Sequence, residues 1–163
     1  IMNASIILEQ CKSYSASDIP SLIKPEIDFT AFFYNIDGNK TNFDCLAAEL
    51  HTLKHNFSVV GVAETNIDPQ HACLYPLDNY CSFYNDVADG KSKGTGVALY
   101  IHDSFKASPI ASTCTTTPNI ECMFLEVSKG KSSVTVGIIY RPPNGNANVF
   151  LDDFQNIIKI SSN

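Results

Sequence analysis

The run Val59-Val60-Gly61-Val62-Ala63 constrains this chain more than any other stretch. It is apolar, rich in β-branched residues and bounded by polar turns. A run of that length and composition reads as a strand buried on both faces. It stops on a carboxylate, Glu64, followed at once by Thr65 and Asn66. In open α/β sheets the C-terminal lip of such a strand is where ligand sites collect. Glu64 is therefore either the point where the strand meets water or a carboxylate set in place for chemistry.

The preceding segment bears on that choice. Residues 29–34 are β-prone and aromatic, and run into the turn-rich Asn35-Ile36-Asp37-Gly38-Asn39. A helix follows, with Thr41 or Asn42 as its cap. Its apolar stripe is Phe43, Leu46, Ala47, Leu50 and Leu53. Strand, helix and strand in succession make the two strands parallel, with both C-terminal ends on one edge. Asn35 and Glu64 are then neighbours. His51 and His55 stand four apart near the helix end, a spacing that fits solvent-facing groups at the negative end of the dipole better than a metal pair.

Further along, residues 67–93 are rich in turn signals, and 80–84 can form a short strand. Lys91-Ser92-Lys93-Gly94-Thr95-Gly96 lacks the spacing of a phosphate-binding P-loop. It serves as a sharp turn whose two lysines can meet a phosphate backbone. Strands follow at 96–101, 123–127 and 134–140, the last two joined as an antiparallel hairpin. The final strand runs into Tyr140-Arg141-Pro142-Pro143-Asn144, where the paired prolines end the ladder. Residues 147–160 make an amphipathic helix through Phe150, Leu151, Phe154, Ile157 and Ile158. Residues 1–28 form a lightly packed leader with short helices and no visible chemistry, and 29–163 form the domain. The chain is thus α/β or α+β, with polar strand exits at Asn35, Glu64 and Tyr140.

A formal charge of −6 argues against a surface that coats nucleic acid. It leaves room for an enzyme that presents a metal ion to a phosphodiester, because acidic ligands lower the net charge. No apolar run is long enough to span a membrane. None of the six cysteines forms a C-x-x-C, so a zinc knuckle is not expected. Reduced cysteines and an intracellular setting, nuclear or cytoplasmic, are expected. The opening Ile1 reads as an internal or processed start.

Four segments carry a resemblance. Tyr34-Asn35-Ile36-Asp37-Gly38, Val62-Ala63-Glu64-Thr65-Asn66, the stretch 94–100 and Ile139-Tyr140-Arg141-Pro142-Pro143-Asn144 come in the order seen in the endonuclease/exonuclease/phosphatase superfamily. More narrowly, the chain resembles the apurinic-type endonuclease domain at the start of non-LTR retrotransposon polyproteins, which also carry a reverse transcriptase. The resemblance covers residues from about 29 to 160 and implies a DNase I-like fold, a two-sheet α/β sandwich with a mixed sheet and outer helices. It implies hydrolysis of a DNA phosphodiester, with Mg²⁺ or Mn²⁺ as cofactor. Glu64 would be a metal ligand, supported by Asp37, since such cations take oxygen donors. Asn35 would orient Glu64, a metal-bound water or the neighbouring groups, and Tyr140 would hydrogen-bond the scissile phosphate. Asn144 would meet the substrate strand. Arg141 would either grip a phosphate bidentately or pack on the surface.

The chain departs from that pattern in its later motifs. The superfamily draws its general base from a Gly-Asp-x-Asn strand exit and its clamp from a Ser-Asp-His, and these 163 residues contain neither. Asp153-Phe154-Gln155-Asn156 and His102-Asp103 are superficial echoes. The expectation is the N-terminal half of such a domain, inactive by itself, with an apolar sheet face and edge covered by another copy or a partner chain. Two other readings stay open: a catalytically dead assembly module, and a phosphatase of the same superfamily.

Overall fold

The computed structural model describes residue 18 and residues 29–67, 69–85 and 94–161. Apart from Asp18, the leader expected over 1–28 lies outside the described residues, as do Lys91 and Lys93. In chain order the elements are β1 (Ala31–Asn35), α1 (Asn39–Leu53), β2 (Val59–Ala63), β3 (Tyr80–Tyr84), β4 (Val97–His102), β5 (Lys106–Pro109), β6 (Thr115–Thr116), β7 (Glu121–Lys129), β8 (Ser132–Tyr140) and α2 (Ala147–Ser161). Two 3₁₀ turns, Pro69–Leu74 and Ala111–Thr113, fill connections.

Two sheets result. The first has the order β1-β2-β4-β3 and is mixed: β1 and β2 run parallel, and β4 is antiparallel to both β2 and β3. The second is built on β7, which pairs with β8 along its whole length and with β5 and β6 over shorter stretches. The parallel first pair and the β7–β8 hairpin agree with the sequence reading. β7 starts two residues earlier than expected, and the short β5 and β6 were not legible because neither carries an apolar run.

Strand alternation assigns the layers. Val59, Ala63, Val97, Leu99 and Ile101 point from the first sheet toward Met123, Leu125, Val127 and Ile138 of the second, forming the inter-sheet core. The other face of the first sheet, with Val60, Val62, Ala98 and Tyr100, packs on Leu46 and Leu53 of α1. The outer face of the second, with Cys122 and Phe124, packs on Ile157 of α2. The stack is therefore helix, sheet, sheet, helix. Each fully buried aliphatic side chain contributes roughly 1.5–3 kcal/mol, so Leu46 and Leu53 dock α1 more firmly than any surface pair could. That docking fixes the loop between β1 and α1, where the polar strand exits lie.

The start of α1 differs from expectation. It begins at Asn39 with Gly38 as its N-cap and no side-chain cap bond. Asn42 lies inside the first turn, and its Nδ2 donates back to the Ile36 and Asp37 carbonyls. The side chain ties the turn together rather than capping the helix, a role that propensity alone does not distinguish. His51 is exposed, whereas His55 Nε2 meets Thr30 Oγ1 at 2.9 Å and the ring packs edge-on against Phe57. Burial lowers the His55 pKa.

β1 and β8 are the outer strands on one side of the two sheets. Phe33 is 59% exposed there and Val134 44%. A groove between these edges is lined by Phe33, Val59, Leu99, Val136 and Ile138. The five described cysteines are free thiols; Cys45, Cys73 and Cys81 are exposed and Cys122 is buried. Among the described residues no helix is long and apolar enough to cross a membrane.

Candidate functional site

Backbone pairing does not stop where β1 and β2 end. The Ile36, Gly38 and Asn39 amides donate to the Ala63, Glu64 and Thr65 carbonyls at 2.8–3.0 Å. On the other side, the Thr65 and Asn66 amides donate to the Gly96 and Thr95 carbonyls at 3.1 and 2.8 Å. Three loops are thereby laced into one platform at the C-terminal edge of β2. Its backbone is unusual: Asp37, Glu64 and Asn66 have φ of 47°, 58° and 52°. Left-handed conformations are uncommon outside glycine and cluster at functional sites, where surrounding structure holds them.

The twist at Glu64 turns its side chain toward Asn35 and Tyr140. Asn35 Nδ2 donates to Glu64 Oε1 at 2.8 Å, and the Tyr140 hydroxyl donates to the same oxygen at 2.5 Å. Asn35 comes from β1, Glu64 from the exit of β2, and Tyr140 from β8 across the sandwich. Among the described residues no hydrogen bond reaches Glu64 Oε2. That oxygen faces Gly94, where a Cβ, if glycine had one, would stand 3.6 Å from it. Gly94 has φ +77°, so glycine serves both the turn and the open approach. Asn66 Oδ1 accepts from the Gly94 and Thr95 amides at 2.7 and 3.1 Å and holds the segment there.

Tyr140 is held protonated well above the usual phenol range. Burial is the largest cause, followed by its bond to Glu64 and by the charges of Glu64 and Glu121. Glu121 is the residue that the sequence reading missed. It opens β7, pairs in register with Tyr140 and is 2% exposed. Its Oε2 accepts from the Gly96 amide at 2.7 Å. Burial raises its pKa, the Gly96 bond opposes the rise, and the charge of Glu64 adds to it. The available signal was parity: Glu121 shares the inner face with Met123, Leu125 and Val127, but an expected strand start at 123 left it outside.

The other expected residues are not drawn into this cluster. Asp37 is tied to Asn35 through its amide, which donates to Asn35 Oδ1 at 3.3 Å. Arg141 Nη1 donates to the Gly145 carbonyl at 2.9 Å and so braces its own turn. Asn144 is exposed on that turn. Asp153 and Asn156 lie within α2, and His102 ends β4 at the edge opposite Gly96. Among the described residues no three His, Cys, Asp or Glu side chains converge on one point. A divalent ion that keeps most of its waters needs only one or two carboxylates. One fixed carboxylate with an open, glycine-faced oxygen fits that requirement.

The two stacked sheets with helices on their outer faces form a DNase I-like fold. The structure resembles the endonuclease domain of TRAS1, a telomere-specific non-LTR retrotransposon, with TM-score 0.57 and 15% identity over 79% of this chain and 53% of that one. It also resembles an AP endonuclease of Leishmania major, with TM-score 0.52 and 15% identity over 97% and 58%. A humanised D. rerio TDP2 bearing 14 mutations matches with TM-score 0.51 and 14% identity over 82% and 57%. The chain spans just over half the length of each of these structures. No protein-family model and no curated protein matches it in sequence.

Proposed function

We propose that this chain carries the cation- and phosphate-binding part of a DNA endonuclease of the non-LTR retroelement kind, one that hydrolyses a phosphodiester with Mg²⁺ or Mn²⁺. The observation that carries the reading is the state of Glu64: one oxygen clamped by Asn35 and Tyr140, the other open toward Gly94. Among the described residues Oε2 takes no hydrogen bond, so it is the oxygen that a cation could use. Likeness to an endonuclease domain and an AP endonuclease supports the same reaction class.

In this reading Glu64 would hold the cation, and Asn35 restrains its carboxylate through Oε1. A divalent ion held there would supply charge stabilisation to the phosphodiester. Tyr140, kept protonated by its surroundings, donates its proton into a hydrogen bond either to Glu64 or to an arriving phosphate oxygen. Asp37 adds negative charge from the neighbouring loop. Lys91, Lys93, Arg141 and Asn144 meet the DNA strand. None of these groups is a general base, and the 163 residues contain no Gly-Asp-x-Asn or Ser-Asp-His to supply one. Turnover therefore depends on a base contributed from outside these motifs, and the 163 residues alone bind the cation without cutting.

The test is plasmid nicking in Mg²⁺ by the native protein and by Glu64→Gln. Nicking present in the wild type and lost in Glu64→Gln supports the reading; measurable nicking at equal rates in both overturns it. A second reading rests on the exposed β1 and β8 edges with Phe33 and Val134: an assembly module that covers this side with another copy or a partner chain. Strong Mg²⁺-dependent nicking by residues 1–163 alone rules that out, while a concentration-dependent dimer without cation binding favours it.

A further inference from the structure

Building on the Glu64 cation site proposed above, we infer that Glu121 is its positioning residue: through the Gly96 amide it holds residues 94–96 against Glu64 and so sets the cation affinity of Oε2. Glu121 lies on the inter-sheet face of β7, in line with Met123, Leu125 and Val127, and is almost wholly buried. A carboxylate in an apolar layer is costly unless something there uses it. Among the described residues no Lys, Arg or His side chain pairs with it. The partner that it does have is the Gly96 amide, in a bond of 2.7 Å that crosses from one sheet to the other.

That bond matters because of what it restrains. Gly94 and Gly96 have φ of +77° and +91° and carry no side chains to lock them by packing. Thr95 is buried between them, and hydrogen bonds fix the backbone on either side. Asn66 grips it at the Gly94 and Thr95 amides from the Glu64 side, and Glu121 grips it at Gly96 from the opposite sheet. The Gly96 carbonyl in turn accepts from Thr65, the residue after Glu64. A shift of the Gly96 amide therefore passes directly to the Glu64 backbone and to the glycine facing Oε2. Partners one step behind a metal ligand commonly control affinity by about 10–100-fold.

Reach, rather than charge, is the property at stake, and two near-isosteric variants separate them. Glu121→Gln keeps an oxygen at the same reach and loses the charge. Glu121→Asp keeps the charge and falls one methylene short. Mn²⁺ titration calorimetry on the whole protein, with Glu64→Gln as control, gives the first readout. The expected result is affinity within about 3-fold of wild type for Glu121→Gln and a loss of at least about 10-fold for Glu121→Asp. Amide hydrogen exchange at Gly96, measured without metal, is the second: protection is retained in Glu121→Gln and lost in Glu121→Asp. Wild-type binding that Glu64→Gln abolishes but Glu121→Asp leaves intact overturns this inference alone, as does the reverse order of the two variants. Absence of binding in every protein, wild type included, sinks the cation site and this inference with it.

Discussion

The two ends of the first sheet carry similar residue types and differ in how they use them. At the Glu64 end, Asn35, Glu64 and Tyr140 meet from three strands, and one carboxylate oxygen is left open. At the opposite end, each polar group finds a partner close by. Tyr80 donates to the Phe57 carbonyl at 2.7 Å, Cys81 Sγ approaches Asp103 Oδ1 at 3.5 Å, and His102 Nδ1 meets Ser104 Oγ at 2.9 Å. The Tyr80 and His102 rings pack edge to face. Histidine, aspartate and cysteine at one sheet end look more catalytic in sequence than asparagine, glutamate and tyrosine at the other. The geometry reverses that impression, because the far-end groups pair off separately, whereas Asn35 and Tyr140 converge from two other strands on one oxygen of Glu64.

Substitutions at each end can break this contrast. Glu64→Gln is expected to have the largest effect, lowering Mn²⁺ affinity by more than about 100-fold, beyond what outer partners of a metal ligand usually control; calorimetry that finds unchanged affinity would erase the distinction. Asn35→Ala and Tyr140→Phe each release one clamp on Oε1 and should cost about 10–100-fold in the same titration. Both should leave the far-ultraviolet spectrum unchanged.

The far end should respond in stability and not in binding. Tyr80→Phe loses one hydrogen bond to the backbone, and denaturant melts should register about 1 kcal/mol. The same residue carries the pH signature, because burial raises the Tyr80 pKa to about 12 from an ordinary 10.0. A raised pKa means that the folded state holds the proton longer. Its contribution to stability is complete below pH 10 and is lost as pH rises through about 12. Alkaline difference absorbance should show a late-titrating tyrosine that disappears in Tyr80→Phe. Smallest of all, Asp103→Ala is an exposed change expected to stay within about 0.5 kcal/mol and to leave Mn²⁺ affinity untouched. A large loss of affinity there would mean that both ends serve one site.

Much of the fold was legible from the residues alone. Val59 to Ala63 is buried at every position, as a continuous apolar run implies. The strand–helix–strand order sufficed to place Asn35 beside Glu64. Tyr140 ends its strand as expected, and the Asp153 and His102 echoes lie away from the site. Less was legible where identity and position part company. Asn42 looked like a cap and instead braces the turn before the helix. Glu121 looked like the end of a loop, because Cys122 interrupts the obvious apolar run and hides its parity.

The sequence by itself determined the strands, their parallel start and the three polar exits, since these follow from local periodicity and from the handedness of a short crossover. Tertiary structure alone decided which oxygen of Glu64 is spoken for and which is open. That depends on Tyr140 arriving from the second sheet, 76 residues away, and on Glu121 reaching Gly96 across the sandwich. Hydrogen bonds between sheets obey no sequence period. They are set by how two layers of side chains settle against each other, and at this sheet end that packing leaves Glu64 with one oxygen bonded twice and the other facing Gly94.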